Sequence, residues 1–209
     1  MIRRPPRSTH CISSAASDVY KRQFLLLVCG CGRGSRPLTT VVSQDSTHVV
    51  QRILVLPFEN ESDEEQLGVI ATRICQQRLF NYGFQLANEG DLRVYLHRHQ
   101  LFLSQLKDEG TLQLFSDLAR KLQVSTLIKG EILTAGYENI QGESLPVVTL
   151  KLDLLNAVDG RVLASSFQIG RGDDSRTLMR FGVQRTATQV LAHMIDDIIN
   201  NWHTKGVFR

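Results

Sequence analysis

Arg52-Ile53-Leu54-Val55-Leu56-Pro57-Phe58-Glu59-Asn60-Glu61-Ser62 is the stretch from which the rest of the chain can be laid out. Ile53 to Leu56 is a short unbroken apolar run containing β-branched residues, the pattern of a strand buried on both faces. Pro57 lacks a backbone donor and is expected to stop that strand. Ser62 and Glu65 have the S-x-x-E spacing of a capping box, which predicts a helix starting at residue 63. A buried strand feeding a capped helix is the first half of a βαβ unit.

Downstream, Leu67, Ile70, Ala71, Ile74 and Leu79 recur at helical spacing, predicting a helix over 63–81 that Gly83 ends. Residues 84–87 read as a short strand. Asp91 is placed to cap a helix over 92–108 with Tyr95, His99 and Phe102 on its apolar stripe, and Thr111 caps a third helix ending near Leu122. Strands follow at 124–134 and 147–155. In the second, Val148, Leu150, Leu152 and Leu154 alternate with Thr149, Lys151 and Asp153, so one face meets the core and one meets water. Asp159-Gly160 makes a hairpin into a strand over 161–169. A last helix over 175–202 carries Leu191, Met194, Ile195, Ile198, Ile199 and Trp202. The fold class is α/β (α+β): one mixed sheet of about five strands covered by about four helices, in the order β-α-β-α-α-β-β-β-α.

The amino-terminal region divides into shorter pieces. Residues 1–23 back-translate into two sequencing-adapter sequences in their proper order, so they resemble translated adapter and are set aside from fold and function. They hold five of the 24 basic residues and one of the 21 acidic ones, leaving 19 against 20, a net charge of −1 in place of +3. The basic balance therefore does not argue for nucleic acid or an anionic surface. Residues 24–31, Phe24-Leu25-Leu26-Leu27-Val28-Cys29-Gly30-Cys31, look like the end of a secretory apolar region running into a lipobox. Cys31 is the expected lipidated residue, with Cys29 as the alternative. Residues 32–49 are rich in Gly, Ser, Thr and Arg and read as a flexible tether; 50–203 form the domain and 204–209 a tail. Cys75 is left alone in the domain, a small buried hydrophobe rather than half of a disulfide.

Candidate chemistry is sparse. His97 and His99 lie on different sides of one helix, and His99 reads as a core histidine. No HExxH, paired CxxC, phosphate-binding loop or G-x-S-x-G elbow occurs, so neither a catalytic set nor a metal or cofactor is expected. Glu59, Glu61, Asp63, Glu64 and Glu65 form an acidic cluster that also suits a helix start. Arg171-Gly172-Asp173 reads as a turn before a helix cap. Because loops beyond the carboxyl ends of strands tend to meet ligands and partners, Phe58, Glu59, Asn60 and Glu61 are the candidate partner-binding residues. Phe58 is either an exposed aromatic among acids or a core residue beneath the first helix.

The succession of Ile53-Leu54-Val55-Leu56-Pro57-Phe58-Glu59-Asn60, Leu118-Ala119-Arg120-Lys121-Leu122-Gln123-Val124, Leu127-Ile128-Lys129-Gly130-Glu131-Ile132 and Asp159-Gly160-Arg161-Val162-Leu163 resembles the CsgG/LpoB superfamily of bacterial outer-membrane lipoproteins. The amino-terminal domain of TolB has a similar fold. The resemblance implies a non-enzymatic scaffold or regulator, lipid-anchored at the periplasmic face of the outer membrane through an acylated cysteine. Such a protein acts on cell-envelope proteins, not nucleic acid, with homo-oligomerisation left open. The alternative within the superfamily is a curli-type secretion-channel subunit; an alternative outside it is a metal-dependent enzyme using the acidic loop. A channel needs membrane-crossing strands of roughly 9–11 residues with an apolar outer set, whereas the connection 135–146 reads as short and polar.

Overall fold

Ile53, Leu54 and Val55 sit at 0–1% exposure in the middle of a seven-stranded sheet ordered β1-β7-β6-β5-β2-β4. The computed structural model describes residues 36–41, 50–102, 112–176 and 181–208. The strands are β1 (Leu38–Val41), β2 (Arg52–Val55), β3 (Glu59–Asn60), β4 (Gln85–Leu86), β5 (Thr126–Ile140), β6 (Glu143–Asn156) and β7 (Val162–Arg171), and the helices α1 (Leu67–Asn81), α2 (Glu89–Arg98), α3 (Leu112–Leu122) and α4 (Ala187–Thr204). β2 runs parallel to β4 and β5, and the β5-β6-β7-β1 half is antiparallel. The expected mixed α+β class and helix number hold, with two strands more than expected. None of the described helices is long and apolar enough to cross a membrane.

The alternating side chains of β2 feed two cores. Ile53 and Val55 join Ile128, Leu150 and Leu152 under α1 and α4, whereas Leu54 and Leu56 join Leu127 and Leu155 under α2 and α3. The predicted apolar side of the last helix is buried throughout, from Leu191 to Trp202. Its start is not where expected. α4 begins after Thr186, which accepts from the Gln189 N–H at 3.3 Å, while the Gln189 side chain accepts from the Arg185 N–H at 2.9 Å. That reciprocal arrangement is a capping box one residue off register, and it lies at Thr186 rather than at Ser62.

Ser62 caps nothing. Its N–H and hydroxyl both donate to Asn60 Oδ1, at 3.1 and 2.7 Å, and Asn60 Nδ2 donates to the Glu64 carbonyl at 2.7 Å. This side-chain turn competes with the helix, so α1 starts at Leu67 with no side-chain cap. Pro57 interrupts the strand without ending its pairing. Leu56 N–H bonds to the Ile128 carbonyl, and the chain returns to β5 as β3, with Glu59 beside Glu131 and Glu61 N–H on the Ile132 carbonyl.

Two further departures change the surface. Leu38–Val41, within the stretch read as a tether, is an edge strand on β7; Thr39 Oγ1 meets Ser166 Oγ at 2.7 Å, and Ser166 accepts from the Trp202 indole N–H at 2.7 Å. The connection 135–146 is not a loop either. β5 and β6 pair out to Ile140 and Glu143 around Gln141 (φ 53°) and Gly142 (φ 82°), a two-residue turn whose positive φ values match strand twist. The arm carries Glu138, Asn139, Gln141, Glu143 and Ser144, so its length does not supply the apolar set a membrane-crossing strand needs.

α2 also differs, running Glu89–Arg98 with Asn88 rather than Asp91 as its cap, Oδ1 accepting from the Gly90 N–H at 2.9 Å. It ends where Gln100 takes φ 53° and Leu101 N–H reaches the Leu96 carbonyl; α3 ends likewise at Gln123 (φ 53°), with Val124 N–H on the Ala119 carbonyl. Both are Schellman closures in which Gln occupies the place glycine favours, at roughly 1–2 kcal/mol of backbone strain each. Residues 103–108 of the expected second helix lie outside the described residues.

Candidate functional site

Phe58 is core. It is 7% exposed, and its ring lies over Gly130, where an added Cβ would come within 2.4 Å of it. Its N–H donates to Thr72 Oγ1 at 2.9 Å, and that hydroxyl donates to the Gly68 carbonyl at 2.8 Å. The exposed alternative for Phe58 is thus set aside, because Gly130 opens a slot in β5 that the ring fills.

The other three candidates have separate places. Glu59 is partly buried and pairs with Lys129 at 3.5 Å. Asn60 organises the turn described above, and Glu61 is exposed. Among the described residues no three His, Cys, Asp or Glu side chains converge as metal ligands would, so the acidic cluster is spread along the chain. Cys29 and Cys31 lie outside the described residues.

The sheet offers a broader surface. α1 and α4 cover one face of it, but α2 and α3 cover only the β2 side of the other. Beyond Leu127 and Leu155, the second face over β5, β6, β7 and β1 carries no described helix. Its β5–β6 part is charged: Glu59 with Lys129, and Lys151 with Asp153 at 3.2 Å, Asp153 also accepting from Ser165 Oγ at 2.5 Å. Towards the edge it becomes apolar, with Leu38 (74% exposed) beside Phe167 (36%) and Ile169 (38%) further along β7. Sequence reasoning missed these residues. The alternation of Phe167 and Ile169 with buried Ser166 and Gln168 was the available signal, but it runs opposite to the usual apolar-in pattern.

Ser175 Oγ lies 3.0 Å from His193 Nε2, and Asp197 Oδ2 lies 3.7 Å from the same Nε2. A nucleophile–base–carboxylate relay needs the two imidazole nitrogens to face different partners, so this trio lacks that geometry. Burial pushes the nearby Asp174 carboxyl up, against a lowering hydrogen bond from the Arg171 N–H at 2.7 Å. Arg171–Asp174 is a turn, as expected, but no helix follows it directly. His99 is exposed rather than core: α2 stops there, and its ring meets the Tyr95 ring at a tilt of 41°, centroids 4.5 Å apart. Phe102, placed on the same stripe, is also exposed. Cys75 is fully buried and its thiol is pushed up to about 12 by desolvation.

No protein-family model matches this chain, and no curated protein matches it by sequence. Solved structures are similar to it. Lipoprotein GNA1162 from Neisseria meningitidis superposes with a TM-score of 0.50 and 15% identity over 74% of this chain and 99% of that one. The PelC dodecamer from Paraburkholderia phytofirmans gives 0.47 and 16% over 77% and 96%, and the C-terminal domain of LpoB from Salmonella enterica gives 0.45 and 19% over 60% and 85%. At such identities the likeness is one of fold.

Proposed function

We propose that this chain is a lipid-anchored scaffold or regulator at the periplasmic face of the outer membrane, working through protein contacts in cell-envelope assembly. The observation that carries the reading is the sheet face that no described helix covers, with ion pairs on one side and Leu38, Phe167 and Ile169 on the other. Flat mixed surfaces with an apolar aromatic part suit a protein partner better than a small molecule, which prefers a concave apolar site. The fold shared with a protein described as a lipoprotein, GNA1162, and the apolar run ending at Cys31 support the anchor. Within the Phe58–Glu61 candidate set, the contact runs through Glu59 and Glu61, since Phe58 faces inward.

Photo-crosslinkers placed at Phe167 and Ile169 of the full-length protein in a bacterial envelope are expected to capture a discrete protein adduct. The same groups at Val69 and Phe80, exposed on α1, are expected to capture none. Phe167→Ser with Ile169→Asp is expected to abolish the adduct formed from a crosslinker at Lys151 while leaving the melting temperature in place. Equal capture from α1, or recovery that survives the double change, would refute the assignment of this face.

A further inference from the structure

A concave feature lies near Arg52, at the start of β2, on the opposite end of that strand from the Phe58 loop. It is a cleft of about 390 Å³ between α2 and the α3–β5 connection. Its walls bring together Arg52, Arg98, His99 and Lys121, with Asp91 as the one carboxylate among the described lining residues. Arg52, Arg98 and Lys121 come from three separate elements. Arg52 is aimed by its Nη1, which donates to the Leu122 carbonyl at 3.1 Å and leaves the rest of the guanidinium for another acceptor. Lys121 Nζ sits 3.2 Å from His99 Nε2 and 5.8 Å above the Tyr95 ring. Tyr95 itself is buried and in tilted contact with the His99 ring, so it forms a fixed floor.

Helix ends alone do not account for this charge. α2 and α3 both finish at the cleft, and a helix carboxyl end favours cations with the equivalent of roughly half a negative charge. Three permanent cations exceed what two such ends and Asp91 together offset, by roughly one charge, and Asp117 is committed to Arg120. Gln123 lines the same cleft, its φ of 53° set by the same helix closure as at Gln100. Its amide contributes two donors and an acceptor to the wall.

We propose that this cleft binds a phosphate monoester, its phosphate held by Arg52, Arg98 and Lys121 and the group it esterifies against Gln123 and the Tyr95 floor. Phosphate suits forked guanidinium donors with an ammonium beside them. The cleft is several times larger than a phosphate alone requires and falls in the ordinary range for small-molecule sites, ~300–1,000 Å³. The same chemistry is offered by a free sugar phosphate and by the phosphate of a lipid headgroup.

Calorimetry on the full chain with glucosamine 1-phosphate, and with glucosamine as control, tests the first source. Co-sedimentation with phosphatidylcholine vesicles containing phosphatidic acid tests the second. Binding of the phosphate form in either arm, weakened by added salt and at least about tenfold by Arg98→Gln with Lys121→Gln, is the expected result, and the responding arm names the source. Gln123→Gly is expected to raise the melting temperature while weakening the same binding, a combination that a purely structural Gln123 would not produce. Equal binding of glucosamine, indifference to the Arg98/Lys121 change, or no binding in both arms at millimolar probe would overturn the proposal.

Discussion

Gly130→Ala is expected to be destabilising only because Phe58 is where it is. An ideal Cβ on Gly130 would stand 2.4 Å from Phe58 Cε2 and 2.5 Å from Cδ2 and Cζ, more than 1 Å inside the usual ~3.5–4.0 Å carbon contact. Neither partner can retreat easily. Gly130 is paired with Leu152 in the middle of β5. Phe58 is held by its bond to Thr72 and by Gly68, whose own added Cβ would lie 2.8 Å from the Phe58 carbonyl. Overpacking of this kind costs about 1–3 kcal/mol. Phe58→Ala alone, which empties the slot, is expected to cost about 3–5 kcal/mol. In the double variant the new methyl enters the emptied slot, and Ala is a better strand residue than Gly by roughly 0.5–1 kcal/mol. The double variant should therefore be no less stable than Phe58→Ala alone, a coupling of about 1–4 kcal/mol. Urea unfolding followed by the fluorescence of Trp202, the single tryptophan, gives all four corners of the cycle. Additive costs, within about 0.5 kcal/mol, would refute the buried placement and return Phe58 to the surface as a contact residue.

Other outcomes follow from the same structure. Ser166→Ala removes the acceptor of the buried Trp202 indole N–H and the partner of Thr39; it is expected to cost about 1–3 kcal/mol and to speed hydrogen exchange in β1, read by mass spectrometry. The Cys75 thiol is held protonated by burial up to about 12, against 9.0 for an ordinary thiol. Folding then favours the protonated form, so this contribution is intact below about pH 9 and is lost as pH rises towards about 12. Cys75→Ala is expected to flatten the alkaline limb of a urea-midpoint profile, and an unchanged limb would remove Cys75 from its cause. Cys31→Ala in the natural precursor is expected to abolish acyl labelling and release the protein from membranes; labelling lost on Cys29→Ala instead would move the anchor two residues.

Local pattern determined the framework. The run from Ile53 to Leu56 could only be satisfied by burial on both faces, the alternation from Val148 to Leu154 placed β6 with one face on a core, and Asp159-Gly160 set the β6–β7 turn. The stripe from Leu191 to Trp202 required a helix on that core. Each of these signals lies within a few residues, where periodicity and turn chemistry act. The position of the Phe58–Glu61 stretch beyond β2 was legible for the same reason, but its orientation was not. Phe58 turns inward because of a missing Cβ at Gly130 and a hydroxyl at Thr72, neither near it in sequence. Helix α1 starts late because the Asn60 side chain captures Ser62. Leu38–Val41 becomes a strand because β7 presents a free edge, with Ser166 there for Thr39. Gln100 and Gln123 adopt positive φ although nothing in glutamine announces it. The sheet face that no described helix covers and the cationic cleft are likewise products of tertiary arrangement, since both depend on how far α2 and α3 reach across the sheet. That reach is set by packing between elements distant in sequence, which no local periodicity encodes.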